Sequence, residues 1–296
     1  MTWVHDLYHD EIRSGFLVTA HRKRIWEVEL AMLAEFDRVC EKYGLRYCAD
    51  GGTLLGAVRH EGFIPWDDDI DVVMPRPDYE KLKEVSADEF SKPFFLQNIY
   101  TDSEFYLITK LRHSETLALE YPGKRNNQGI FIDIFPLDAM RDGSVRMEKI
   151  ALIQMELYLL SAQEVLYRYL VERGMKTYLS ATARETLLKL PAKERFREYE
   201  RFQAAHFGDS QRLNFFGFEL EGRYLHIDRA WYSELIKLPF EEREIPAPAG
   251  YEPLLRELFG DYHKFVKFAS DHGQGILFSP DVPYEEYYKA LDEKSG

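Results

Sequence analysis

Apolar residues recur at helical spacing between Thr19 and Tyr43, at Ile25, Val28, Leu30, Met32, Leu33, Phe36, Val39 and Cys40, and Gly44 then supplies a stop signal. The next apolar run, Leu45 to Ala49, has the length of a short strand. The pair Gly51-Gly52 turns that strand into a helix predicted over about Thr53 to Arg59. Ile70-Asp71-Val72-Val73-Met74 reads as a strand closed by Pro75 and Pro77, and Asp78 is placed to cap a helix from Tyr79 to about Val85. Further strands are predicted at Phe94–Gln97, Tyr106–Arg112 and Ile130–Phe135, with Pro136 ending the last.

The pattern changes after Gly143. Residues 145–206 are charged, leucine-rich and nearly free of glycine, which predicts two or three helices. Their bland interpretation is a helical subdomain with solvated charged faces; the functional one is a surface that shapes acceptor binding. Residues 211–246 look β-rich, through Asn214-Phe215-Phe216-Gly217-Phe218 and Tyr224-Leu225-His226-Ile227, and a last helix is predicted around Pro253–Phe259. No internal repeat or low-complexity tract interrupts the chain. The expected class is α+β, divided into a core at 19–143, a helical insertion at 144–210 and a C-terminal segment at 211–296.

Composition narrows the partners. Among 296 residues, 45% are apolar and 15% aromatic, enough for a sizeable core, and no stretch has the roughly 20 uninterrupted apolar residues of a membrane span. The start, Met-Thr-Trp-Val-His-Asp, lacks a secretory pattern, and Cys40 and Cys48 have no metal-ligand spacing, so both are expected as reduced thiols in a cytoplasmic protein. A formal charge of −13 argues against a nucleic-acid partner. It also repels phosphorylated substrates unless metal ions neutralise the site locally.

The chemistry concentrates between Asp50 and Asp71. Glycines allow close backbone approach to phosphate oxygens, and clustered carboxylates hold divalent cations. In Asp69-Ile70-Asp71 the two acids are separated by one residue at the head of a strand, so both point to one side while Ile70 and Val72 face the core. Phe131-Ile132-Asp133-Ile134-Phe135 sets a lone acid among apolar residues, a costly burial unless the acid is paired or ligates a cation. If the strands are neighbours, Asp133 is a third ligand and two ions about 3.5–4 Å apart fit the set. Asp67 and Asp68 are expected in a solvated turn. A calcium loop starting at Asp67 fails, since Val72 and Asp78 stand where Gly and Glu are needed. A nucleotide-sugar glycosyltransferase also uses Asp-x-Asp after an apolar strand, but it leaves the glycine pair and Asp133 unexplained.

Gly51 and Gly52 before a short helix suit an anion at its N-terminus. Arg59 and His60 lie about two turns on, and Arg59 is the better phosphate partner because it stays charged. Lys110 and Arg112 share one face of a predicted strand, either beside the nucleotide phosphates or at a surface edge. The histidines His113, His206, His226 and His263 show no ligand spacing and are expected at the surface or satisfied in the core.

Three segments together resemble the LicD family of bacterial phosphocholine transferases, to which the eukaryotic fukutin-related proteins are distant relatives. They are Gly51-Gly52-Thr53-Leu54-Leu55-Gly56-Ala57-Val58-Arg59, Gly62 through Asp71, and Phe131-Ile132-Asp133-Ile134-Phe135-Pro136-Leu137-Asp138. The likeness covers residues 25–140 well; Ile245-Pro246-Ala247-Pro248 and Phe259-Gly260-Asp261-Tyr262 also look like the family's C-terminal end, and 145–210 carry no matching motif. The resemblance implies a nucleotidyltransferase-like mixed sheet flanked by helices, and transfer of phosphocholine from CDP-choline to a hydroxyl of a cell-surface glycan, teichoic acid or lipooligosaccharide, with release of CMP. Family membership, not the residue pattern, decides attack at the β-phosphorus.

On that basis Asp69, Asp71 and Asp133 are expected as catalytic residues and as ligands of two Mg²⁺ or Mn²⁺ ions. Gly51, Gly52, Thr53, Arg59 and Lys110 are expected against the donor. Choline asks for aromatic faces. Trp66 is the first candidate, with a core position after Pro65 as its alternative. Tyr100, Phe105, Tyr106 and Tyr121 are weaker choices among 20 phenylalanines, 19 tyrosines and 4 tryptophans, and Glu120 is an acid that would add attraction. The expected location is cytoplasmic, with peripheral contact at the inner membrane face where the acceptor is lipid-linked.

Overall fold

The computed structural model describes residues 9–102, 108–215, 225–267 and 276–295. A hairpin of β1 (Glu11–Arg13) and β2 (Phe16–Val18) leads into α1 (Ala20–Tyr43). Thr19 caps this helix by accepting from Arg22 N at 3.2 Å, and Gly44 closes it in the left-handed region at φ 64°. Its apolar stripe, with Ile25, Met32, Leu33, Phe36 and Val39, lies in the main core.

Next come β3 (Cys48–Ala49), α2 (Gly51–His60), β4 (Asp71–Pro75), α3 (Arg76–Glu89), β5 (Phe94–Gln97), β6 (Thr109–His113), β7 (Leu117–Leu119) and β8 (Ile130–Ala139). The chain continues through α4 (Val145–Ala162), α5 (Glu164–Glu172), α6 (Ala181–Leu188), α7 (Ala192–His206) and β9 (Leu213–Phe215). It ends with β10 (Leu235–Phe240), β11 (Arg243–Pro248), α8 (Tyr251–Phe259), β12 (Leu277–Ser279) and α9 (Tyr284–Ser295). The expected α+β class holds, with a mixed sheet at the centre.

That sheet runs β3-β4-β8-β6-β5, and β9 also pairs with β8. The β4–β8 pair is parallel, while β3–β4, β6–β8, β5–β6 and β8–β9 are antiparallel. Ile130, Ile132 and Ile134 of β8 join the core beneath α1. Residues of opposite parity, Phe135 and Leu137, face the other way with Val73, Leu213 and Phe215.

Several boundaries differ from expectation for visible reasons. Pro136 does not end β8, which runs on to Ala139. Leu137 pairs with Pro75 on one side and Phe215 on the other, so β6 and β9 share one edge in succession. Pro136 falls in the gap between them, after Ile134 and before Leu137, where its missing N–H breaks no ladder on that edge. α3 starts at Arg76 with Pro77 in its first turn, where a missing N–H costs nothing, and Asp78 is a first-turn acid rather than the cap. Likewise α2 begins at the glycine pair itself.

Four helices, not two or three, occupy the described part of the middle stretch. α4 packs on α7, and Ile99, Leu157, Phe196 and Tyr199 form a core of their own. The tail contributes the hairpin β10–β11, the ribbon of β12 on β7, and α8 beside α2. Of the expected β-rich residues, 216–218 and Tyr224 lie outside the described residues, while Leu225, His226 and Ile227 are described and belong to no strand. No helix among the described residues is long and apolar enough to cross a membrane.

Candidate active site

Sheet register builds the site. The parallel pairing sets Asp71 opposite Asp133, and the antiparallel neighbour sets Lys110 opposite Asp133, so three charged side chains form a row across β4, β8 and β6. Asp69 precedes β4 rather than lying on it, yet converges on the same point: one carboxylate oxygen each from Asp69, Asp71 and Asp133 lie within 4.8 Å of one another. Ile70 is fully buried and its carbonyl accepts from Asp133 N at 2.8 Å, which locks the segment between the two acids.

The glycine turn is stitched to this row. Thr53 Oγ1 accepts from Asp71 N at 2.8 Å, and Asp50 N donates to Asp71 O at 3.2 Å. Thr53 thus spends its hydroxyl on holding the strand, at 3% exposure. A Cβ on Gly52 would stand 2.5 Å from Asp67 Oδ2, so a larger residue would have to displace that carboxylate. Gly51 sits at φ +52°, a conformation that favours glycine. No side chain caps the first turn of α2. Beyond the Gly51 N–H, which meets the Asp50 carboxylate, the first-turn N–H groups of a helix of this kind suit an anion.

Like charges crowd the row. Burial, then Asp69 and Asp133, raise the Asp71 carboxyl well above the usual carboxylate range. Asp133 is also raised, mainly by burial, against the opposing pull of Lys110. The Lys110 ammonium lies 2.7 Å from Asp133 Oδ1 and 3.2 Å from Glu120 Oε1, above the Phe131 ring at 3.5 Å from its centroid. Lys110 and Arg112 do share a face, but neither is at a surface edge. Arg112 is fully buried, donating to Gly129 O at 2.8 Å and pairing with Glu120. Glu120 is thereby a partner of these two cations and does not line the cavity described below.

Asp67 and Asp68 overturn the expectation of a solvated turn: they are 7% and 4% exposed. The cause is α1, from which Arg22 Nη1 and Trp26 Nε1 donate to Asp67 O at 2.8 and 3.1 Å and draw the loop inward. The carboxylates of Asp67, Asp68 and Asp69 form a second group within 4.8 Å. Asp50, 1% exposed, is pushed up to about 7 by burial.

A cavity of about 340 Å³ opens beside the acids, lined by Gly52, Arg59, Trp66, Asp69, Asp71 and Tyr262 among others. Arg59 donates to Tyr262 O at 2.9 Å and to His60 Nε2 at 3.0 Å. Burial, with Arg59 and Arg13, lowers His60 to about 4, so it is neutral at pH 7. Trp66 is 8% exposed and contacts Phe16, His60 and Phe265 edge-on, so it is packed and lines the cavity at once.

Other candidates stand elsewhere. Tyr100 belongs to the helical cluster and donates to Glu200 at 2.6 Å, and Tyr121 does not line the cavity. Phe105 and Tyr106 lie outside the described residues. His206 pairs with Asp209, and among the described residues no histidine joins either acid group. Sequence reasoning missed the far wall, made by Phe259, Asp261, Tyr262, Lys264 and Val266. The motif Phe259-Gly260-Asp261-Tyr262 was the available signal.

Carboxylates crowded on a parallel strand pair, beside the glycine-opened N-terminus of a helix, are an arrangement suited to metal-assisted phosphoryl chemistry. Residues 44–156 match the family model described as LicD/FKTN/FKRP, nucleotidyltransferase domain. The lipopolysaccharide cholinephosphotransferase LicD of Haemophilus influenzae is 26% identical over 250 residues, 79% of this chain and 88% of the relative. The ribitol 5-phosphate transferase FKRP of Mus musculus is 28% identical over 98 residues, 33% of this chain and 18% of the relative. An uncharacterized protein of Rickettsia prowazekii, RP689, is 37% identical over 54 residues, 18% of this chain and 20% of the relative.

Proposed function

We propose that the protein is a metal-dependent phosphotransferase that moves phosphocholine from CDP-choline to a hydroxyl of a cell-surface glycan and releases CMP. The observation that carries this reading is the convergence of Asp69, Asp71 and Asp133 on one point beside the glycine-opened end of α2. Similarity along 79% of the chain to a lipopolysaccharide cholinephosphotransferase supports the transferred group and the acceptor class.

The residues fit a divalent cation. They are carboxylates within 4.8 Å of one another, Asp69 and Asp133 buried and Asp71 half-buried, and their mutual repulsion is only partly offset by Lys110. Asp69, Asp71 and Asp133 would hold Mg²⁺ or Mn²⁺, two ions in the fullest form. Bound there, the metal supplies charge neutralisation on the diphosphate and acidifies the attacking hydroxyl. The first-turn N–H groups of α2 receive phosphate oxygens, and Arg59 balances charge on the departing CMP. The acceptor oxygen forms a bond to the β-phosphorus as the bond to the bridging oxygen breaks, and the hydroxyl proton passes to Asp133. Lys110 holds the Asp133 carboxylate in place.

For the head group, Trp66, Phe259 and Tyr262 give aromatic surface and Asp261 a negative charge in one cavity. Each aromatic face is worth roughly 0.5–2 kcal/mol to a quaternary ammonium. We place catalysis in the cytoplasm, in contact with the membrane surface when the acceptor is lipid-linked. We assign residues 19–143 to the catalytic core, 144–210 to a helical appendage, and 211–296 to closing the substrate cleft.

The test is CMP release from CDP-choline with Mg²⁺, for wild type, Asp69→Asn and Asp133→Asn. Metal-dependent release that falls by about 10³-fold or more in both variants is expected, since several kcal/mol of transition-state stabilisation go with the metal. Full activity in either variant overturns the acid set. Nucleotide release from UDP-sugars but not from CDP-choline would replace this reading with a glycosyltransferase.

A further inference from the structure

Residues 67–70 belong to no helix or strand, so the acid segment between α2 and β4 has no ladder to fix its backbone. It is held at its two ends instead. At the far end, the Ile70 carbonyl accepts from Asp133 N at 2.8 Å. At the near end, Asp67 is tied through both of its backbone polar groups. Its N–H donates to Ile64 O at 2.8 Å, and its carbonyl accepts twice, from Arg22 Nη1 at 2.8 Å and from Trp26 Nε1 at 3.1 Å. Positions 22 and 26 are about one turn apart on α1, so both donors leave the same face of the helix. Trp26 is 2% exposed and stacks flat on Phe63 at 4.7 Å between centroids, which fixes the direction of its N–H. Asp69, whose carboxylate belongs to both acid groups, lies between the two held points.

We infer that Arg22 and Trp26 are positioning residues for the metal-holding acids, acting through the Asp67 carbonyl without touching the ligand. The inference rests on the metal part of the function proposed above and not on the identity of the donor. An arginine beside carboxylates has another conceivable role, that of a counter-charge which competes with a bound cation. Two observations favour positioning: Arg22 places Nη1 on a neutral carbonyl, and Trp26, which carries no charge, shares that acceptor. The two roles give effects of opposite sign. Removing a counter-charge tightens cation binding, because the acids regain their full negative field. Removing a positioner loosens it, because the acids no longer start from the geometry the ion needs.

The test is the Mn²⁺ affinity of the metal-stripped full chain, read as free ion by electron paramagnetic resonance, with the folding of each variant checked by chemical denaturation. Arg22→Met keeps the length of the stem and removes the donors; Mn²⁺ should bind about tenfold more weakly or worse, the effect typical of losing a group that orients a ligand. Trp26→Phe keeps a ring against Phe63, removes the N–H and changes no charge, and it should weaken Mn²⁺ in the same direction. Arg24→Met is the control: it removes a charge from the same helix, one that pairs with Asp281, and should leave the affinity near wild type. Unchanged or tighter Mn²⁺ binding in Arg22→Met overturns the inference, and tighter binding would mark a counter-charge. Lost stability with wild-type affinity in the folded molecules also overturns it, since the pair would then only pack α1 on the loop. A wild-type chain that binds no Mn²⁺ rejects the metal reading and this inference with it. Normal Mn²⁺ binding by the wild type and weakened binding by both variants, without CMP release from CDP-choline, upholds the positioning role and rejects the donor alone.

Discussion

Strand β8 carries two buried acids five residues apart, and they meet opposite fates. Asp138 is fully buried and receives Arg76, whose Nε lies 2.7 Å from Oδ1. Arg76 also reaches Glu80 at 3.0 Å and Glu200 at 3.5 Å, and Lys83 closes the network at 2.7 Å from Glu200. Sheet, α3 and α7 are joined by groups that answer one another. Asp133 is 5% exposed and touches Lys110, but it also faces Asp69, Asp71 and Glu120. An odd separation puts the two acids on opposite faces of the sheet. Burial of an acid therefore marks no function by itself. The mark is charge that the protein leaves unbalanced, and only the Asp133 end of β8 has it.

The comparison is broken most directly by giving each acid the same change. Asp138→Asn leaves Arg76 buried without its counter-charge and should cost about 3–5 kcal/mol of unfolding free energy, read by chemical denaturation. Activity per folded molecule should stay near wild type. Asp133→Asn should do the reverse: activity collapses, and the metal-free protein is as stable as wild type or more so, because repulsion is relieved. A larger stability loss from Asp133→Asn than from Asp138→Asn would erase the distinction.

A second test uses pH. Asp50 stands at about 7 in the folded protein through burial, against about 3.9 for a free aspartate. Between those values the folded state keeps a proton that the unfolded chain has released, so stability falls as pH rises from about 4 through about 7. The full loss from this group is about 4 kcal/mol as an upper bound. Asp50→Asn removes that contribution, so in metal-free buffer its stability should fall less steeply than wild type across this window. Asp71 and Asp133 shift in the same sense in both proteins, and since Asp50 also repels Asp71, the difference between the two curves reads Asp50 together with its push on Asp71. Parallel curves would show that Asp50 is solvated in the folded state.

Much of this arrangement was legible in the chain. Helix α1 was readable from its stripe and from Gly44, and the acid-apolar-acid segment with the lone Asp133 pointed to convergence. Strand pairing was not readable, since nothing in Phe131–Phe135 says that Asp133 will lie opposite both Asp71 and Lys110. The burial of Asp67 and Asp68 was hidden for the same reason: it depends on Arg22 and Trp26, more than 40 residues upstream. Four adjacent acids in five positions read as solvated because charge normally is. Pro136 misled because a proline breaks a ladder only where a partner strand needs its N–H, and here the partner changes at that residue. The cavity wall at Phe259–Tyr262 comes from the other end of the chain, and only the family likeness of that motif hinted at it.

Gly52→Ala probes the smallest element of the comparison. The added methyl would lie 2.5 Å from Asp67 Oδ2, so the carboxylate must turn away within a packed loop. Alanine also gains about 1 kcal/mol of helix propensity over glycine inside α2, which offsets part of that strain. The expected outcome is a change in unfolding free energy of less than about 1 kcal/mol, with activity reduced by about 10²-fold through displaced acids. Gly56→Ala is the control, because its Cβ would meet the Gly62 carbonyl at 2.4 Å, backbone that cannot swing aside. That variant should lose stability and activity together. If Gly52→Ala behaves like Gly56→Ala, the glycine pair serves packing of α2, and the close approach of helix and acids has no part in the chemistry.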